Sequence, residues 1–434
     1  MRFALRATLF DFAGDPSRSA NALRVSDDGV LLIEDGVVAA CGDYRTLHSS
    51  IDAGTTLLDY SGCLATPGFV DTHIHLPQVD VIASPAAGLL DWLERHTFPA
   101  EAKFSDPTVA AETARFFLDE LARHGTTSAL VFGTVHAASV EALFEEALRR
   151  NVRLVAGKCL MDQHCPETLR DTAEGGVQES ADLAARWHGR GRLGYAITPR
   201  FAATSTPRQL ALAGELARMR PELHVQSHVA ENVDEVRWVK ELYPEARSYL
   251  DVYDRAGLLR ERSVYAHCIW LDRDDRQRMQ ASGAAAAVCP TSNLFLGSGL
   301  FDFRAALDAG MAITLATDVG GGQSFSMLAT MRAAHEVARL RGEPLSAAQL
   351  WYWAGRGGAV ALGWQDRVGH LQPGFDADII VLDPRATPLV ARRTARAKSF
   401  EEMLFALIVL GDDRVVRETF IAGHPSKTGR EVIA

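Results

Sequence analysis

The chain has 434 residues, 47% hydrophobic and 23% charged, enough for one large globular domain or two or three ordinary ones. A net charge of −10 without a basic stripe leaves nothing to grip nucleic-acid phosphates. No run of about 18 apolar residues offers a membrane span. The six cysteines, Cys41, Cys63, Cys159, Cys165, Cys268 and Cys289, lack paired spacing and read as reduced thiols of a cytoplasmic protein.

The opening stretch, MRFALRATLFDFAGDP, is too weakly apolar for a signal peptide. Residues 1–64 alternate short β-like runs with turns, and GVLLIEDGVVAACGD reads as two strands about an Asp-Gly hairpin. Residues 370–434 are β-rich again, with strands expected in GFDADIIVLD and VVRETFIAGH. Between those two lies ATPLVARRTARAKS, basic and weakly periodic, expected to be a surface loop. The two ends together are expected to build a small β-sandwich domain.

Across residues 65–369, β-rich runs alternate with amphipathic helical stretches such as PTVAAETARFFLDELARHG and SVEALFEEALRR. The runs are ATPGFVDTHIH, TTSALVFG, VRLVAGKCLM, RLGYAITPRF, LHVQSHVAE, SVYAHCIW, AAAAVCP and MAITLATDVG. That alternation predicts an α/β fold, a closed parallel (β/α)8 barrel of the TIM type. A doubly wound sheet is the alternative, but GSGLFD and DVGGGQS lack the GxGxxG spacing it would bring.

Chemistry in such a barrel sits at the C-terminal ends of the strands. His73 and His75 end the first run and, two residues apart on a strand, point the same way. His228 ends the fifth, His267 the sixth and Asp318 the eighth. Three or four imidazoles and a carboxylate make an N/O set suited to Zn²⁺ or Fe²⁺. Singly, His267 reads as a core histidine and Asp318 as the start of a glycine turn; jointly they would need four accidents at equivalent positions. Asp71 shares the inward parity and fits either a support for the ligands or a deeper core group. Glu231, three residues past His228, fits either a proton carrier or a helix N-terminal acid. Arg200 and Phe201 end the fourth run, and a donor fork beside a flat ring suits a planar heterocycle. Either is also an ordinary structural residue, and Gln78 is equally a loop cap.

Two other metal motifs are absent. AHEVAR carries Arg339 where HExxH needs its second histidine, and VCPTSN has no second cysteine for the zinc deaminase pattern of P-C-x-x-C. Cys268 and Cys289 sit in no activating motif and read as small buried residues.

PGFVDTHIHLPQ, DWLERHTFPAEAKF, TPRF, SHVAENVDEV, CPTSNLFLGSG and TDVGGGQSFSML, in this order, resemble the amidohydrolase superfamily and, within it, the guanine deaminase branch. The resemblance spans essentially the whole chain. It implies one zinc per subunit, with iron the alternative, held by His73, His75, His228 and Asp318. It implies Glu231 as proton shuttle, with His267 and Asp318 beside the reacting water. Gln78, Arg200, Phe201, His228 and Asp318 would contact guanine, the product being xanthine, and the chain would be a homodimer with neither nucleic-acid nor membrane partners. Many relatives carry histidine where Val288 stands here, a position outside the ligand set. A related aminohydrolase of 8-oxoguanine, an aminotriazine or an adenosine-type substrate is the second expectation, and a non-catalytic scaffold the third. WLERHTFPAEAKF is the segment expected to cover the pocket.

Overall fold

The computed structural model describes residues 2–427 apart from residues 20 and 53. The leading strands are β1 (Arg2–Phe12), β2 (Leu23–Glu34), β3 (Val37–Asp43) and β4 (Thr56–Pro67). The barrel strands follow: β5 (Phe69–His75), β6 (Thr126–Phe132), β7 (Arg153–Gly157) with its extension β8 (Cys159–Leu160), β9 (Leu193–Pro199), β10 (His224–Val229), β11 (Ser263–His267), β12 (Ala285–Val288) and β13 (Ala312–Leu315). The trailing strands are β14 (Ile379–Leu382), β15 (Val416–Ile421) and β16 (His424–Pro425).

The barrel runs β13-β12-β11-β10-β9-β7-β6-β5, all parallel, with a helical crossover between most neighbours. Each run expected from the sequence is therefore a strand, in its expected place. The ring closes through the loop after β13, where the Asp318 amide donates to the His73 carbonyl at 2.9 Å. Thr317 donates from its backbone amide to Asp71 at 3.2 Å and from its hydroxyl to the same carboxylate. Asp71 is thus the support rather than a spare core group. The bore is lined by small side chains, Ala196, Ala266, Ala285, Ala287 and Ala316 beside Val70, Leu130 and Val155. Leu362 and Trp364 belong to the same cluster. So narrow a bore is a packed core, not a channel.

Both chain ends meet in one mixed sheet, ordered β16-β15-β14-β4-β1-β2-β3. On one face Phe3, Leu5, Leu9, Ile33, Val381 and Phe420 share a core of their own; on the other Phe10, Leu64, Ile380 and Leu382 join the barrel core. Alternating apolar residues along β1 feed the two sides, as the strand period requires. Arg153, first residue of β7, bonds Asp376 at 2.6 Å, and Arg192, just before β9, pairs with Asp378. Those contacts, with the Gly68 amide on the Asp378 carbonyl at 2.9 Å, tie the sheet to the N-terminal rim. The opposite rim stays clear for chemistry.

The stretch expected as a loop, residues 386–399, contains the helix Pro388–Thr394. Thr387 caps it by accepting from the Val390 amide, proline occupies the first turn, and Val390 and Thr394 are buried. Two buried positions four apart were too weak a period to stand out in seven residues.

Candidate active site

His73, His75, His228 and Asp318 each offer one ligand atom, all within 4.8 Å of one another. His75 Nε2 lies 3.2 Å from His73 Nε2 and 3.2 Å from His228 Nε2. Asp318 Oδ1 is 3.2 Å from His73 Nε2 and 3.3 Å from His75 Nε2. Donors about 2.05 Å from a tetrahedral cation stand roughly 3.3 Å apart, so the spacing is that of a coordination shell. Protonation agrees. Burial drives His75 down to about 3 and holds His73 and His228 below their ordinary range, so all three imidazoles are neutral at pH 7. Burial also works to raise Asp318, but hydrogen bonding to His73 and His75 holds it well below the carboxylate range. The His228 Nδ1–H donates to the Arg200 carbonyl at 2.6 Å, which turns the Nε2 lone pair toward the cluster. Neutral imidazoles and an ionised carboxylate are the states metal ligands must have. The residues fit a divalent cation.

The local backbone explains the convergence. Ala230, His267, Cys268 and Asp318 all have left-handed φ, between 49° and 71°. Non-glycine residues there cost energy, so the surrounding structure holds these strand ends in turns that re-aim the side chains. Past Asp318 the glycines are steric. A Cβ on Gly320 would stand 2.5 Å from Gln78 Oε1, and one on Gly322 would stand 1.8 Å from the Thr317 carbonyl oxygen. The turn reading and the ligand reading of Asp318 both hold.

Glu231 comes off β10 beside the cluster, its Oε2 3.3 Å from His267 Nε2, while its Oε1 accepts from Ser298 at 2.9 Å. Burial, with the nearby Asp318 charge, pushes it up to about 8. An acid raised in this direction is suited to proton transfer. His267 Nε2 lies 3.8 Å from Asp318 Oδ2, and its Nδ1 is 2.8 Å from Asn293 Oδ1. Gln78, Arg200 and Phe201 line the same pocket, about 410 Å³ of empty space, with Trp92, Leu93 and Leu296. Phe201 also packs edge-on to Trp238, ring centroids 6.0 Å apart.

Every candidate from the sequence thus meets at one barrel mouth. Sequence reasoning missed four residues. Phe132 sits 4.8–5.0 Å from the rings of His73, His75 and His228, an apolar base under the cluster. Asn293 and Ser298 hold His267 and Glu231. Glu101 accepts from both Gln78 and Arg200, at 3.1 and 2.6 Å. Glu101 lies in the expected cover segment, which here is a helix interrupted by a wide π turn, Leu93–Thr97. Pro99 follows that turn and cannot donate to the carbonyl four residues back, which accounts for the widening.

A profile described as Amidohydrolase family matches residues 64–425. The chain belongs to the amidohydrolase family. It is 44% identical over 424 residues to the guanine deaminase of Escherichia coli (strain K12), covering 97% of each chain. The solved structure of E. coli guanine deaminase superposes with a TM-score of 0.95, covering 98% of this chain and 99% of that one. Guanine deaminase from C. acetobutylicum, solved with guanine bound in the active site, is 26% identical with a TM-score of 0.87, covering 98% of this chain and 100% of that one. Among the described residues no helix is long and apolar enough to cross a membrane.

Proposed function

We infer that this amidohydrolase is a guanine deaminase, adding water to C2 of guanine and releasing ammonia and xanthine. One observation carries the inference: His75, His228 and Asp318 of the four-donor metal set line one pocket with Glu231, a Gln78–Arg200 pair and Phe201. The whole-length likeness to guanine deaminases supports the same reading.

In this reading His73, His75, His228 and Asp318 hold zinc, with ferrous iron the alternative for an N/O set. Bound there, the cation makes water nucleophilic near neutral pH. Asp318 Oδ2 and His267 Nε2 face the nucleophile and orient it. Gln78 and Arg200 hold the purine edge, with Phe201 against the ring, and so bring C2 into reach. Glu231 gives its proton to the ring nitrogen beside C2, takes one proton from the attacking water and passes it to the amine, and recovers the water's second proton as the carbonyl forms at C2. The C–N bond breaks and ammonia leaves. Asn293 keeps the His267 ring from turning, and Ser298 keeps Glu231 aimed.

The proposal includes residues 65–369 as the catalytic barrel, residues 1–64 and 370–434 as the accessory domain, and a cytoplasmic homodimer as the family resemblance implies. The test is direct. Zinc-replete protein given guanine should release xanthine and ammonia in equal amounts, and no conversion would overturn the reading.

A further inference from the structure

Glu101 is completely buried and does not line the pocket, yet it touches two polar residues of the pocket wall. Its Oε1 accepts from Gln78 Nε2 at 3.1 Å and its Oε2 from an Arg200 guanidinium nitrogen at 2.6 Å. The two partners come from different places: Gln78 follows β5, and Arg200 follows β9. Phe98, on the same short helix Phe98–Ala102, lies under the guanidinium with its ring centroid 5.4 Å from Cζ.

We propose that Glu101 is a positioning residue that sets selectivity for guanine by deciding which end of the Gln78 amide faces the substrate. The proposal rests on the guanine reading above. An ionised carboxylate only accepts, so Gln78 must turn its NH₂ toward Glu101. The Gln78 carbonyl oxygen is then the free end, and it has no partner among the described residues. Arg200, one nitrogen spent on Glu101, keeps further N–H groups. The pocket wall therefore shows one acceptor beside several donors. Guanine presents the complement along its six-membered ring, an N1–H donor beside an O6 acceptor. 2,6-Diaminopurine carries the same 2-amino leaving group but inverts that edge: N1 accepts and the 6-amino group donates. It would set acceptor against acceptor and donor against donor. The Glu101–Arg200 pair is also neutral overall, which suits an uncharged base.

The experiment compares kcat/KM for guanine and 2,6-diaminopurine in wild type, Glu101→Gln and Glu101→Asp, with zinc content and thermal unfolding measured alongside. Wild type should favour guanine by about a hundredfold or more, since a site built around a polar edge rejects a mismatched one strongly. In Glu101→Gln the new amide can donate as well as accept, freeing Gln78 to turn. The guanine preference should then fall at least tenfold while zinc content stays. Glu101→Asp keeps an acceptor-only group and should keep the preference even if both rates drop. A purely structural role would slow both purines alike. An unchanged ratio in Glu101→Gln, a lost ratio in folded Glu101→Asp, or no preference in wild type would each overturn the proposal. Failure of the guanine reading itself looks different: wild type would convert neither purine.

Discussion

The barrel mouth and the terminal sheet both bury charge, and they do opposite things with it. In the sheet Asp11, 4% exposed, accepts two bonds from Arg24, one from the Leu371 amide, and pairs with His370. Burial would raise its pKa, but hydrogen bonding from His370, Arg24 and that amide brings it down to about 2. The charge is satisfied by its own neighbours. At the mouth, burial pushes Glu231 up to about 8 and Glu235 up to about 7, and His75 down to about 3. Glu235 is held by the Glu231 and Asn232 amides and the Tyr249 hydroxyl, while Glu231 and His75 stand where a cation and a substrate would meet them. One region spends its polarity on stability and the other reserves it for a cation and a substrate.

The largest test of that contrast removes a ligand. Asp318→Ala should lose at least about a thousandfold in kcat/KM, and metal analysis should find under one-tenth of an equivalent bound. Full metal content with normal turnover would take the carboxylate out of the set. Next comes Glu231→Gln, which should retain zinc and guanine affinity while kcat falls by about 10²–10⁴, the usual reach of a positioned proton carrier. Near-normal kcat would remove it from the proton path.

The smallest effect belongs to the sheet. Asp11→Asn should leave kcat/KM within about twofold but cost on the order of 1–2 kcal/mol, the low end for a buried pair because the Arg24 side chain is 38% exposed. Asp11 is depressed in the folded state, so its contribution is present above about pH 4 and lost as pH falls toward 2. Glu235 runs the other way. Raised when folded, it favours the native state at low pH, and that support declines as pH climbs from about 4.5 through 7. Denaturant melts across pH should show the acid limb flatten in Asp11→Asn while the limb nearer neutrality stays.

The sequence made the ligands legible for a physical reason. His73 and His75 sit in an apolar strand where an imidazole needs a purpose, and each of His228, His267 and Asp318 closes a β-run. Position and burial together single them out. Arg200 beside Phe201 already suited a planar heterocycle, but a capping amide or a paired arginine looks the same in sequence, and the family resemblance was needed to choose between the readings. Glu101 was not readable. It is one acid among 55 Asp and Glu residues, in a helical stretch, and its partner Arg200 lies 99 positions away. Asn293 and Ser298 are polar groups whose value depends on which ring or carboxyl reaches them, and nothing local reports that. The π turn before Pro99 shows a proline widening a helix without ending it.

The seam of the ring carries one more consequence. Asp71 and Thr317 are 246 positions apart, and their contact, with the bond from the Asp318 amide to the His73 carbonyl, joins the first barrel strand to the last. Those same few residues carry two of the four ligands, so the metal site cannot exist until the last gap in the cylinder has shut. Closing so long a loop is slow and entropically costly. A cation held by His73, His75 and Asp318 would span the same seam, joining the first barrel strand to the loop after the last.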